Sequence, residues 1–326
     1  MLEGGGILGA ILEILAGSYY AIKISEHFHQ RLVSVRRREM EITEAKQVLG
    51  IGDQDCFYRS DNTHPLYPKS TALHPDNFDA LTTLTQYKIT RASYQNKLLV
   101  TDSVEGNFER DLVLVGSPVA EGCSRIVFGY EPQPNDTDSL LLADPPVDLP
   151  YYWVLDRGRV EATAARVVAG KGVRTRPNWR IQSTLGAGRL YIPRVDSGGL
   201  LEDDYLLITR VRNYLSANAL QTDKTIVTIG GTHGTGTKAI EVLLREQTVL
   251  SELSNKLKGA TAYQALFRVG KIQHESFGSR ASAIELLDVK ILPDSDHVWS
   301  TAREKTQSKV QQWLTTPPSG KGHRKK

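Results

Sequence analysis

The residues best suited to chemistry lie between Lys224 and Glu246, where KTIVTIGGTHGTGTKAIEVLLRE passes from a β-branched run through a glycine loop into a helical apolar face. Gly230, Gly231, Gly234 and Gly236 are interleaved with Thr232, His233, Thr235 and Thr237, and Lys238 follows. Glycine lets the backbone approach a ligand closely, and a helix that starts just after a strand offers unpaired N–H groups to an anion. The threonine hydroxyls add donors, and His233 or Lys238 adds positive charge, so the chemistry is reception of a phosphate-like group. The glycines run GxxGxG, which is neither the GxxxxGK[ST] of a Walker loop nor the GxGxxG of a dinucleotide fingerprint. A tight turn with Thr237 capping the helix is the ligand-free reading of the same residues.

Two other segments are expected to meet this loop. The apolar run Leu112 to Val115 ends at Gly116, Ser117 and Pro118, and DDYLLITRVRN at 203–213 carries Arg210 and Arg212. Alternate residues of a strand face the same way, so the two guanidinium groups share one side and would suit a phosphate. In an open parallel sheet, ligands gather beyond the carboxyl ends of the strands. Glu121, Asp203, Asp204 and His233 are the candidates for a positioned base, but none sits in a motif that specifies a reaction, and no residue is assigned a catalytic role. Cys56 and Cys123 are the only cysteines, so no zinc spacing or disulfide framework exists, no metal site is expected, and the cofactor stays open.

The elements that must position these residues follow from short apolar runs bounded by turn signals. Strands are expected at 112–115, 151–156, 203–213, 226–229 and 283–293, with RLYIPRV as a further strand in a hairpin or flap at 177–199. A short helix should run through Val127 and a polar helix over 296–314. Residues 159–172 read equally as a helix or a strand edge. Four apolar residues between turns suit a strand covered on both faces, as in parallel sheets. The expected fold is therefore α/β, a Rossmann-like, largely parallel sheet over 111–295. A connector at 50–110 precedes it, and a helix with a basic tail at 296–326 follows.

The first fifty residues differ in kind. Gly4 to Ile22 is apolar or small except for Glu13 and Ser18, close to the roughly 20 residues that cross about 30 Å of hydrocarbon. Residues 1–24 are read as a transmembrane helix and 25–49 as a helical stalk. Lys23, Arg31 and Arg36 to Arg38 follow the apolar run, which by the positive-inside rule puts the rest of the chain in the cytoplasm. A single pass through the inner membrane is the expected location. Glu13 would cost on the order of 2.5–3.5 kcal/mol at the bilayer centre, so it should face protein or water. Gly9, Gly17 and other small residues share its stripe, and Gly5-xxx-Gly9 is a GxxxG. A self-associating helix with Glu13 turned inward is the expected arrangement, and a plain anchor is its alternative. With 40 Lys and Arg against 37 Asp and Glu, the net charge of +3 is too small for direct nucleic acid binding to be expected.

The strand followed by GGTHGTGTKA resembles the Gly-Gly-Thr-Lys loop of Rossmann-like nucleotide-sensing domains of prokaryotic antiviral systems, including CARF and SLOG-type domains. One N-terminal membrane helix on such a domain is similar to the membrane effectors of those systems. The insert THGTG separates Gly230-Gly231 from Thr237-Lys238, the nearest matches to that family's ligand-binding positions. The resemblance implies a cyclic oligonucleotide or another nucleotide-like ligand, a homo-oligomer on membrane lipid, and a protein partner from the same system. The expected function is a membrane-anchored sensor and effector. A membrane-tethered nucleotide- or NAD-processing hydrolase of glycosidase type is the alternative, and a tethered scaffold is a third reading.

Overall fold

The computed structural model describes residues 45, 47–50, 57–59, 75–86, 108–118, 122–133, 136–155, 168–169, 172–173, 179–186, 188–275 and 278–315. The chain divides into two compact units, 1–44 and 45–326. The span read as transmembrane, with Gly9, Glu13 and Gly17, lies outside the described residues, as does most of the segment read as a stalk. Among the described residues no helix is long and apolar enough to cross a membrane.

In chain order the strands are β1 (Phe57–Arg59), β2 (Leu112–Val115), β3 (Tyr130–Gln133), β4 (Asp136–Leu142), β5 (Tyr151–Leu155), β6 (Val168–Ala169), β7 (Gly172–Val173), β8 (Trp179–Ser183), β9 (Leu190–Tyr191), β10 (Asp204–Arg212), β11 (Thr225–Gly231), β12 (Tyr263–Gly270), β13 (Gln273–Glu275), β14 (Gly278–Arg280) and β15 (Ala283–Ile291). The helices are α1 (Pro75–Gln86), α2 (Gly122–Phe128), α3 (Ala217–Gln221), α4 (Gly234–Lys238), α5 (Ile240–Leu243), α6 (Gln247–Leu257) and α7 (Asp296–Thr315).

Among the described residues the main sheet has six strands in the order β1-β2-β11-β10-β12-β15. The fold is mixed α/β, and the largely parallel sheet expected from the sequence is corrected. Only β1–β2 and β2–β11 pair in parallel, while β10 is antiparallel to both β11 and β12, and β12 is antiparallel to β15. The reason lies in the link between β10 and β11. Residues 213–224 hold only the short α3, and Asn213 N donates to Lys224 O at 2.6 Å, so the chain turns straight back instead of crossing over the sheet.

Side-chain alternation gives the sheet two apolar faces. On one, Val113, Val115, Leu206, Ile208, Val227, Ile229 and Phe267 pack under Ala80 and Leu84 of α1, Ile240 and Leu243 of α5, and Leu250 and Leu253 of α6. Ala45, Val48 and Leu49, at the end of the segment read as a stalk, are buried in this same cluster. On the other face Leu112, Leu114, Leu207, Ile226 and Leu266 pack against Phe128 of α2, Trp153 of β5, Ile181 of β8 and Trp299 of α7. Among the described residues both clusters are formed from Ala45 onward.

Polar side chains join the layers where no strand ladder does. Buried Gln264 of β12 accepts from Tyr151 N at 2.8 Å and donates to Tyr151 O at 3.1 Å and Thr209 Oγ1 at 2.9 Å. Its amide thus does for β5 what a neighbouring backbone would do, and docks the small β5-β8-β9 sheet on the main one. At the amino end of β11, Asp111 accepts from Thr225 N at 2.7 Å, which fixes the register against β2.

Candidate functional site

The glycine loop sits where three chain ends meet. β2 and β11 run side by side and finish together, with Gly116 N donating to Ile229 O at 2.8 Å. Gly116 has φ 127°, in the region that favours glycine, and swings the chain across β11. There Ser117 lies so close that a Cβ on Gly230 would stand 2.8 Å from its backbone nitrogen. Because β10 is antiparallel to β11, with Leu206 opposite Gly231, its amino end arrives at the same place and brings Asp203, Asp204 and Tyr205.

Asp204 is the centre of the arrangement. Its side chain is fully buried. Oδ2 accepts from Gly236 N at 2.7 Å. Oδ1 accepts from Tyr205 N at 2.9 Å and from the Thr232 hydroxyl, and lies 3.2 Å from His233 Nδ1. Thr232 N donates to Tyr205 O at 3.1 Å, and Gly231 N donates to Thr237 Oγ1 at 2.9 Å. A Cβ on Gly236 would run into Tyr205 O and Asp204 Oδ2, and one on Gly231 into Gly236 and Thr237 N. The glycines at 231 and 236 therefore serve close packing of the loop on β10. The expectation that Thr237 caps the helix is corrected: His233 occupies the N-cap of α4, and Thr237 turns its hydroxyl inward to Gly231.

Helix α1 closes the loop from outside. Lys238 Nζ meets Asp79 Oδ2 at 2.5 Å, and the Asp76 carboxylate occupies the space a Cβ on Gly234 would need. The Gly236 amide and the Lys238 cation are thus directed at the protein's own carboxylates, Asp204 beneath the loop and Asp79 above it, with Asp76 against Gly234. Thr235 is buried within α4.

Gly116, Ser117 and the loop residues Gly230 to Lys238 are brought together as the sequence suggested, and Arg210 and Arg212 are not. They pair with Val227 and Thr225, at the opposite end of β11. Six residues of strand from Leu206 to Arg212 span roughly 20 Å. There Arg210 donates to Gln47 O at 3.0 Å and Val48 O at 3.3 Å, and Arg212 binds Asp296 at 2.6 Å and Asp223 at 2.9 Å. The antiparallel direction of β10 is the physical reason. Of the acid–base candidates, Glu121 lies outside the described residues, Asp203 is held by Arg194 at 2.6 Å and Arg268 at 3.0 Å, and Asp204 and His233 meet. Asp76 and Asp79 were missed because residues 50–110 read as a connector. The signal that could have found them is Pro75-Asp76, a proline and an acid at the start of a helix.

Among the described residues no group of three His, Cys, Asp or Glu side chains could hold a metal ion. No protein-family model matches the chain, and no curated protein or solved structure matches it. The fold and site together define a mixed α/β domain with a self-satisfied glycine loop at the carboxyl ends of its parallel strands.

Proposed function

We propose that the chain is a membrane-anchored sensor and effector whose 45–326 unit reads a phosphate-bearing, nucleotide-like ligand at the glycine loop. The observation that carries this reading is the pairing of Lys238 with Asp79, beside Asp76 on Gly234. A phosphate arriving at the loop competes with these carboxylates for the same cation and the same space. Binding therefore weakens the hold on α1, a helix on the chain between the N-terminal segment and the rest of the sheet. Such coupling needs no more than a difference in affinity between the α1-docked and α1-released arrangements. The anchor, its oligomer and the nucleotide character of the ligand come from the N-terminal sequence and the loop's resemblance to nucleotide sensors. Glu13→Gln in the full-length chain should abolish membrane permeabilisation in a dye-release assay. A chain lacking residues 1–24 that keeps full activity would remove the effector.

A second reading, a membrane-tethered nucleotide- or NAD-processing hydrolase, is favoured by the Asp204–His233 contact at 3.2 Å. A carboxylate on Nδ1 fixes the tautomer whose Nε2 is the basic nitrogen, the form a general base needs. His233→Gln separates the two. It should abolish turnover of NAD or ATP by a hydrolase, and an unchanged rate would exclude that reading.

A further inference from the structure

From Trp179 to Val195 the sequence holds Arg180, Arg189 and Arg194 and no Asp or Glu. These residues form the β8–β9 hairpin and its flanks. Ile181 and Tyr191 face each other across the ladder and are buried against the body, so the alternate residues Leu190 and Ile192 point outward. Leu190 is 41% exposed, Ile192 39%, and Leu185 at the tip 50%. Among the described residues one other large apolar side chain, Ile291 on β15, is exposed to this degree. Around the tip, Gly186 and Gly188 take positive φ, and a Cβ on Gly186 would meet nothing within 4 Å, so the turn stands clear of the body.

We propose that this hairpin is a docking surface for an anionic lipid bilayer. Exposed aliphatic side chains within a cationic, acid-free stretch match the acyl boundary and the charged headgroups respectively. Single-stranded nucleic acid shares the charge but asks for exposed aromatic faces on which bases can stack. Here Tyr191 is buried, with the Arg189 guanidinium 4.9 Å from its ring centroid and the Tyr151 and Tyr205 rings edge-on at 6.0 and 5.7 Å. The hairpin also has a mechanical link to the loop. Tyr205 touches Tyr191 and Asp203 binds Arg194, while Asp204 between them holds Gly236.

The inference needs neither the N-terminal anchor nor a ligand, and it is tested on the purified full-length chain as a difference between vesicle types and between variants. Co-sedimentation is measured with vesicles of phosphatidylcholine alone and with 30% phosphatidylglycerol. Affinity should be at least tenfold higher for the anionic vesicles and fall steeply at about 0.5 M salt. Leu185→Ser, Leu190→Ser and Ile192→Ser combined should lower it tenfold or more, and Arg189→Gln about fivefold. Ile291→Ser should leave it unchanged. Equal binding to both vesicles, an affinity that the hairpin variants do not alter, or an equal loss from Ile291→Ser overturns the proposal. Binding of a poly-uridine oligonucleotide without binding of anionic vesicles overturns it in favour of nucleic acid.

Discussion

Replacing Asp204 with alanine removes the acceptor on which the glycine loop is folded. The backbone N–H groups of Gly236, at 2.7 Å, and Tyr205, at 2.9 Å, lose their partner together. Neither can rotate to another, and a buried donor left unsatisfied costs about 1–3 kcal/mol. The Thr232 hydroxyl can turn away and adds little. Two stranded donors give roughly 2–6 kcal/mol, a large share of the ~5–15 kcal/mol by which a domain of this kind is stable. Asp204→Asn keeps the volume and one carbonyl oxygen but sets an N–H against a former donor, so about half that loss is expected. Urea unfolding of the purified chain, followed by the fluorescence of buried Trp153 and Trp299, should show a lower midpoint at unchanged slope. An alanine variant within about 0.5 kcal/mol of the parent would refute the idea that this carboxylate organises the loop.

Three further outcomes follow from contacts elsewhere in the unit. Gly236→Ala places a methyl against Tyr205 O and Asp204, so it should destabilise by about 1–3 kcal/mol and loosen the loop, measured as faster amide exchange at residues 231–238. Gln264→Leu strands Tyr151 N and Tyr151 O where Gln264 had met both, and should cost about 2–4 kcal/mol in urea; a loss below about 0.5 kcal/mol would mean that β5 docks by apolar contact alone. Burial pushes the Tyr152 hydroxyl up to about 12, against a small opposing contribution from its bond to Leu149 N. An unfolded tyrosine titrates near 10, so this stability is whole below about pH 10 and declines as pH rises to about 12. The thermal midpoint should fall over that window, less steeply in Tyr152→Phe, and identical slopes for the two proteins would contradict it.

What was legible in the sequence was local. LVLV between turns gave β2, TIVTIGG gave β11, and the glycines after it marked the point where the chain ends converge. Strand direction was not legible, because DYLLITRVR and TIVTIGG are buried on both faces in either orientation. The link 213–224 is near the minimum length of a crossover, so it did not decide the direction either. The same error carried Arg210 and Arg212 to the wrong end of the sheet. β12 went unread because AYQALFRVG interrupts its apolar run with Gln264 and Arg268, and the value of Gln264 appears only once β5 lies beside it. Asp204 was visible as a candidate acid, but not as the partner of Gly236, since that contact joins residues brought together by antiparallel pairing.

The most direct test of the account is mass spectrometry of small molecules retained by the purified full-length chain, with the Asp76→Asn/Asp79→Asn variant in parallel. Removing the carboxylates above the loop should raise the amount of a retained phosphorylated, nucleotide-like compound several-fold, and Lys238→Ala should abolish it. If neither parent nor variant holds a phosphorus-containing compound, or if the variant holds less than the parent, α1 does not compete with a ligand for the loop.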